Sequence, residues 1–135
     1  MTLETPWTFG TRVGGAPPAL RARVEEALRA EGFGLLTEID VAATLRAKLG
    51  VERPQYLILG ACNPSLAHRA LEMNPSVGAL LPCNVVLRAD GDGTIVEAID
   101  PVAAMSISGD PGLGEIAAEA RGRLLRVIAA IGAAG

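Results

Sequence analysis

The stretch that decides the fold is LGACNPSLAHRALEMNPSVGALLPCNVV, residues 59–86. It contains both cysteines of the chain, in the motifs Cys62-Asn63-Pro64 and Pro82-Cys83-Asn84. It also contains the only histidine, His68. The residue types best suited to nucleophilic or metal chemistry are therefore concentrated in one segment, and that segment also carries clear signals of secondary structure.

The same segment predicts a strand, a helix and a second strand. The unbroken apolar run 56–59 is typical of a strand buried on both faces. Asn63 as N-cap and Pro64 as the first helical residue predict a helix that ends at Asn74-Pro75. From Cys83 to Ala89 apolar residues alternate with polar ones, and the turn 91–93 leads into a second alternating run, so these two strands form a hairpin.

Outside this segment, hydrophobic periodicity and the residues that start and stop helices and strands predict the remaining elements. They are a strand over 5–13 with Trp7 and Phe9 on one face, a helix from Pro17-Pro18 to Gly32, a strand over 33–39, a short helix from Asp40 to Gly50, and a long last helix from Asp110-Pro111 to about Gly132. The order β-α-β-α-β-α-β-β-α indicates a single α+β domain over 1–135. We expect a mainly antiparallel sheet of four to five strands with helices packed mostly on one face.

Composition excludes several classes of function. The net charge is −3 with the charges scattered, which argues against a nucleic-acid surface, since that needs a basic stripe and stacking aromatics. No apolar run reaches the ~18 residues of a membrane span. The first ten residues, MTLETPWTFG, lack the basic and apolar regions of a secretory signal. We therefore expect a cytoplasmic protein with reduced cysteines.

Cys62 is the first candidate site residue. Between a buried strand and a helix N-terminus, its sulfur would meet free N–H groups and the positive end of the helix dipole, which lower a thiol pKa and favour a nucleophile or a metal ligand. The alternative is a small buried apolar residue. Cys83 alone is typical of core, and it joins a site only if it lies beside Cys62. One helix and a short loop between two strands usually bring them back as neighbours, so we expect both sulfurs in one pocket.

Other polar residues are weaker candidates. His68 on the predicted third helix can reach toward Cys62, or it can be a solvated histidine. Glu38 and Asp40 end a strand and can approach the same rim; the alternatives are a solvated Glu38 and a capping Asp40. Asn63 and Asn84 would help to wall the pocket. Two cysteines and one histidine are too few for a closed zinc site, which needs four ligands, although a dimer could share ligands across its axis. Thiolates of Cys62 and Cys83 would suit Cu(I) or zinc.

Two segments of the sequence resemble a known family. The segments GFGLLTEIDVAATLRAKLG and YLILGACNPSLAHRALEMNPSVGALLPCNVVLR are similar to the bacterial and archaeal domain-of-unknown-function family 302, over about 32–105. The family's signature positions are here Gly32, Phe33, Asp40, Gly60, Cys62, Asn63, Pro64, Ala67, Leu71, Gly78, Leu81, Pro82, Cys83 and Asn84. The resemblance implies a sheet like that of the TATA-box-binding protein, with helices on one face, and a homodimer. It implies no settled activity.

Three hypotheses about function follow. The first is a homodimeric module that uses the Cys62/Cys83 region to bind a small ligand or a soft metal ion or to sense redox state. The second is a thiol enzyme with Cys62 as nucleophile and His68 or Glu38 as proton carrier. The third is a structural domain whose role is association through the apolar segment 77–81. The sequence leaves the cofactor open.

Overall fold

A computed structural model of the chain describes residues 2–134. Its centre is one antiparallel sheet of six strands in the order β1-β2-β6-β5-β4-β3. The strands are β1 (Thr2–Glu4), β2 (Thr8–Gly14), β3 (Gly34–Asp40), β4 (Tyr56–Cys62), β5 (Cys83–Asp90) and β6 (Gly93–Ile99). The expected α+β class and the antiparallel sheet are confirmed, whereas the expected number of four to five strands is wrong.

Residues 2–134 also form five α-helices and two short 3-10 helices, some between strands and the last three after β6. They are α1 (Pro17–Ala30), α2 (Val41–Leu49), α3 (Pro64–Met73), a 3-10 helix (Pro75–Leu80), α4 (Pro101–Ser106), a second 3-10 helix (Pro111–Leu113) and α5 (Gly114–Ala134). The predicted caps are present: the side chains of Asp40 and Asn63 accept hydrogen bonds from Ala43 N and Leu66 N. Gly50 ends α2 in the left-handed conformation with φ of 66°. The sequence pattern did not predict α4.

The core lies between one face of the sheet and the helices α1 and α5. Apolar side chains of the central strands meet Leu20, Val24 and Leu28 of α1 and Leu124 and Val127 of α5. A second, smaller cluster joins α3, α4 and α5 at one end of the sheet, with Leu66, Ala70, Val77, Met105, Leu113, Ile116, Ala117 and Ala120. The other sheet face is polar in part, since Glu97 accepts hydrogen bonds there from Thr8 and Arg88. One packed and one wetter face is the usual arrangement of an antiparallel sheet.

The N-terminal strand differs from the expectation. Residues 5–7, the start of the strand predicted over 5–13, form a turn instead, in which the Thr5 hydroxyl accepts hydrogen bonds from Trp7 N and Thr8 N. This turn lets β1 fold back on β2 and adds the sixth strand at the sheet edge. Trp7 lies in the turn and is 60% exposed, whereas Phe9 is buried. The expectation that Trp7 and Phe9 share one face is therefore wrong.

Strand β3 contains an irregularity that sequence alternation does not predict. Leu35 pairs with Ala61, but the next pair is Thr37 with Gly60, so Leu36 has no partner in the ladder. One extra residue in a strand shifts every later side chain to the opposite face. Thr37 and Ile39 therefore do not share the face of Leu35, and Ile39 is 46% exposed.

Candidate functional site: a cavity lined by sulfur

Antiparallel pairing of β4 and β5 brings the two cysteines together. In this ladder Ala61 lies opposite Cys83, and Cys62 is the next residue and the last of β4. Gly60, on the same strand, allows the ring of Pro82 to approach the strand closely: a Cβ on Gly60 would lie 2.9 Å from Pro82 Cγ. The segment that leads into Cys83 is thus packed directly on the strand that ends at Cys62.

Both cysteines line one cavity of about 20 Å³. Most of the remaining wall is apolar and comes from three helices, with Leu66 and Ala70 of α3, Met105 of α4 and Ile116 of α5. A cavity of this volume has room for one water molecule or one ion. Neither cysteine is in a disulfide.

The cavity disfavours the thiolate form of both cysteines. Burial raises the pKa of the Cys62 thiol. Burial also raises the pKa of Cys83 to about 11, and the nearby charge of Cys62 adds to this increase. The lowered pKa that the helix N-terminus predicts for Cys62 is opposite to this result. The physical reason is that Cys62 still belongs to the strand and is partly desolvated, while the Asn63 side chain accepts from one of the free N–H groups of α3.

The asparagines of the two motifs have different surroundings. Asn63 lines the cavity and caps α3. Asn84 is exposed and lines a separate, open groove of about 410 Å³ between the turn at Trp7 and α4. Leu81 lines both the cavity and this groove. The structure therefore brings Cys62, Asn63 and Cys83 to one cavity and leaves Asn84 outside it.

The three remaining candidates do not lie at the cavity. His68 is exposed on α3 and is not part of the cavity wall. Glu38 pairs with Arg21 at 2.6 Å, and Asp40 caps α2. Because β3 and β4 are antiparallel, Asp40 lies opposite Leu57, at the far end of the ladder from Cys62. The expected approach of Glu38 and Asp40 to the rim of the cysteine pocket is therefore not found.

Met105 is a wall residue that the sequence reasoning missed. It is 7% exposed and belongs to α4, the helix that was not predicted. A signal for α4 exists, because Asp100 before Pro101 repeats the pattern of an N-cap followed by proline. The Asp100 side chain caps α4 and also accepts a hydrogen bond from Arg121 of α5 at 3.1 Å.

Over residues 2–134, no group of three or more His, Cys, Asp or Glu residues is arranged to hold a metal ion. A closed zinc site of four such ligands within one chain is therefore not available in this part of the molecule. In the same range no helix is both long enough and apolar enough to cross a membrane.

The protein is therefore a small α+β domain. It has a six-stranded antiparallel sheet, helices packed on one face of that sheet, and a pair of cysteines at one end. The chain matches the family described as "Domain of unknown function DUF302" over residues 10–131, and it belongs to this family. The match is wider than the 32–105 expected from the sequence and includes most of β2.

A crystal structure of an uncharacterized conserved DUF302 protein from Bacillus stearothermophilus has the same fold. It is 32% identical to this chain, with a TM-score of 0.85, and the alignment covers 91% of this chain and 96% of that one. No curated protein matches the chain.

Proposed function

We propose that this protein is a homodimeric binding module for a thiophilic metal ion, with Cys62 and Cys83 as its thiolate ligands. The observation that supports this proposal is that both cysteines line one ion-sized cavity with a mostly apolar wall. Thiolates select soft ions such as Cu(I).

The size of the cavity favours an ion over an organic ligand. Sites for small organic molecules usually have volumes of roughly 300–1,000 Å³. The cavity has about 20 Å³, so a cofactor or metabolite would not fit without rearrangement of three helices. A single ion held between sulfur atoms needs no such change.

The raised thiol pKa values argue against the enzyme and redox alternatives. A nucleophilic cysteine, or one that oxidises readily, must be a thiolate at neutral pH. Burial raises the pKa of both thiols, and the proposed proton carriers His68 and Glu38 are outside the cavity wall. A metal ion requires no protein base, because it displaces the thiol protons as it binds.

Competition for Cu(I) tests this role. The reduced protein is titrated without oxygen against Cu(I) held by the chelator bicinchoninate. We expect one ion per protomer, and loss of this binding in Cys62→Ser and in Cys83→Ser. Each bound ion would displace two protons, so affinity should rise with pH below the two pKa values by up to about 100-fold per unit. A reduced protein that takes no Cu(I) from the chelator would contradict the proposal.

The homodimer is proposed from an uncovered part of the sheet. From residue 34 to residue 56, which includes β3 and α2, no residue is buried. Within this segment Leu36 is 66% and Leu49 is 69% exposed. Strand β3 is the sheet edge and offers unpaired backbone groups. An antiparallel edge can pair with its own copy about a two-fold axis, so a second copy of this chain is the partner that suits it.

This surface differs from the segment 77–81 considered from the sequence, in which Val77 is buried. Light scattering should give twice the chain mass of 13.9 kDa at micromolar concentration. Leu36→Asp should produce monomers. The control Ile107→Asp changes a side chain that is 78% exposed but lies outside this surface, and it should remain dimeric. A wild-type monomer would contradict this part of the proposal.

A further inference from the structure

The cavity wall contains a third sulfur-bearing residue besides the two cysteines. Met105 lines the same cavity as Cys62 and Cys83. The chain has three methionines, and Met73, in contrast, is 54% exposed and absent from this wall. A buried methionine usually only fills space, but here it lines a very small cavity together with two cysteines.

The position of Met105 is fixed by its helix. Asp100 caps α4 through the N–H groups of Val102 and Ala103. Arg121 of α5 donates to the same carboxylate at 3.1 Å, and this ion pair ties α4 to the longest helix. Met105 is also part of the buried cluster that joins α3, α4 and α5. The Met105 side chain therefore belongs to a helix that is fixed by its cap and its ion pair, and not to a free loop.

We propose that Met105 is the third ligand of the metal site, which makes it a three-sulfur site selective for Cu(I); this inference rests on the proposed function. Thiolate and thioether ligands together are the soft set that Cu(I) prefers, whereas zinc requires four ligands and magnesium or calcium require oxygen. The mostly apolar wall supplies no further charged donor.

The chemistry of binding balances without a redox step. Two S–H bonds break, two S–Cu bonds form, and two protons leave to solvent. The Met105 sulfur donates a lone pair and releases no proton, and copper stays Cu(I). Two thiolates and one monovalent ion leave one net negative charge on the site.

The pH dependence distinguishes the thioether from the thiols. Met105→Leu keeps the volume of the side chain and removes only the sulfur donor. We expect it to lower the Cu(I) affinity by on the order of 10- to 100-fold. Removal of a group that only supports a metal ligand already causes a loss of this size. The dependence of affinity on pH should stay as in wild type, because the thioether carries no proton. Met73→Leu, the matched control, should bind like wild type.

X-ray absorption of the Cu(I)-loaded protein provides a second measurement that needs no variant. With selenomethionine in place of methionine, the copper spectrum should contain a Cu–Se path at bonding distance in addition to two Cu–S paths. Equal affinity of Met105→Leu and wild type together with two sulfur neighbours and no selenium would overturn this inference while the proposed function stands. A wild-type protein that binds no Cu(I) would overturn both.

Discussion

Gly60, next to the candidate site, is a position where no side chain fits. A Cβ there would lie 2.9 Å from Pro82 Cγ and would also overlap the Thr37 hydroxyl. The proline ring cannot turn away without moving the backbone next to Cys83. We expect Gly60→Ala to lower the free energy of unfolding by about 1–3 kcal/mol, the usual cost of overpacking, and to weaken Cu(I) binding.

Denaturant unfolding measures this effect. The matched control is Gly78→Ala, because a Cβ at Gly78 meets nothing within 4 Å. Equal stability of the two variants would mean that Pro82 and Thr37 move aside at little cost.

Cys83 should make the stability depend on pH in the alkaline range. Its pKa in the folded protein is raised to about 11, so the fold favours the neutral thiol. The corresponding stability is complete below the pKa of the unfolded chain and is lost as pH rises through the folded value. Between about pH 9 and 11 the free energy of unfolding should therefore fall by roughly 2–3 kcal/mol from this group.

Unfolding curves at several pH values check this expectation against Cys83→Ala, which lacks the titrating group. The difference in stability between wild type and variant should shrink as pH rises. A difference that is constant with pH would contradict the raised pKa.

Sequence reasoning about single residues was accurate where it depended on local chemistry. Asn63 caps its helix as predicted. Cys62 and Cys83 line one cavity, as expected, because their strands are neighbours in the sheet. Whether they bind an ion stays a prediction. Asp40 also caps its helix, but its distance from Cys62 follows from antiparallel pairing, which one strand's sequence does not reveal. Met105 was missed because its place in the cavity wall depends on the packing of α4.

At the scale of elements, the Asn63 cap connects the stability of α3 to the cavity. The Asn63 side chain accepts from Leu66 N and also lines the cavity. We expect Asn63→Ala to cost about 0.5–2 kcal/mol of stability, as loss of an N-cap does. Asn63→Asp keeps an acceptor and should keep most of the stability. Thermal or denaturant unfolding of both variants tests this, and an equal loss in both would show that the cap acceptor is not the cause.

The bulge in β3 shows where element-scale prediction stops. The alternation of Phe33, Leu35, Thr37 and Ile39 predicts one apolar face, but the extra residue Leu36 ends this regularity. Bulges are common at sheet edges, and β3 is an edge strand. No residue type in this segment requires a bulge, so only the pairing with β4 reveals it.

At the scale of the whole molecule, helix caps and the central hairpin were enough to predict the α+β class and the antiparallel sheet. The number of strands was underestimated because the first strand folds back through the Thr5 turn. The likeness to the TATA-box-binding protein and the homodimer stay predictions, since both concern relations that a single chain's periodicity does not determine.

The position of Leu81 has a consequence for how reagents reach the interior. Leu81 lines both the small cavity at Cys62 and Cys83 and the large open groove, whereas Leu80 lines only the groove. Leu81→Ala should therefore connect the two spaces and accelerate alkylation of the half-buried cysteines by iodoacetamide, and Leu80→Ala should not. The alkylation rate of the folded protein at a fixed pH measures the difference. One leucine would then control how fast reagents in the solvent reach the two thiols of the chain.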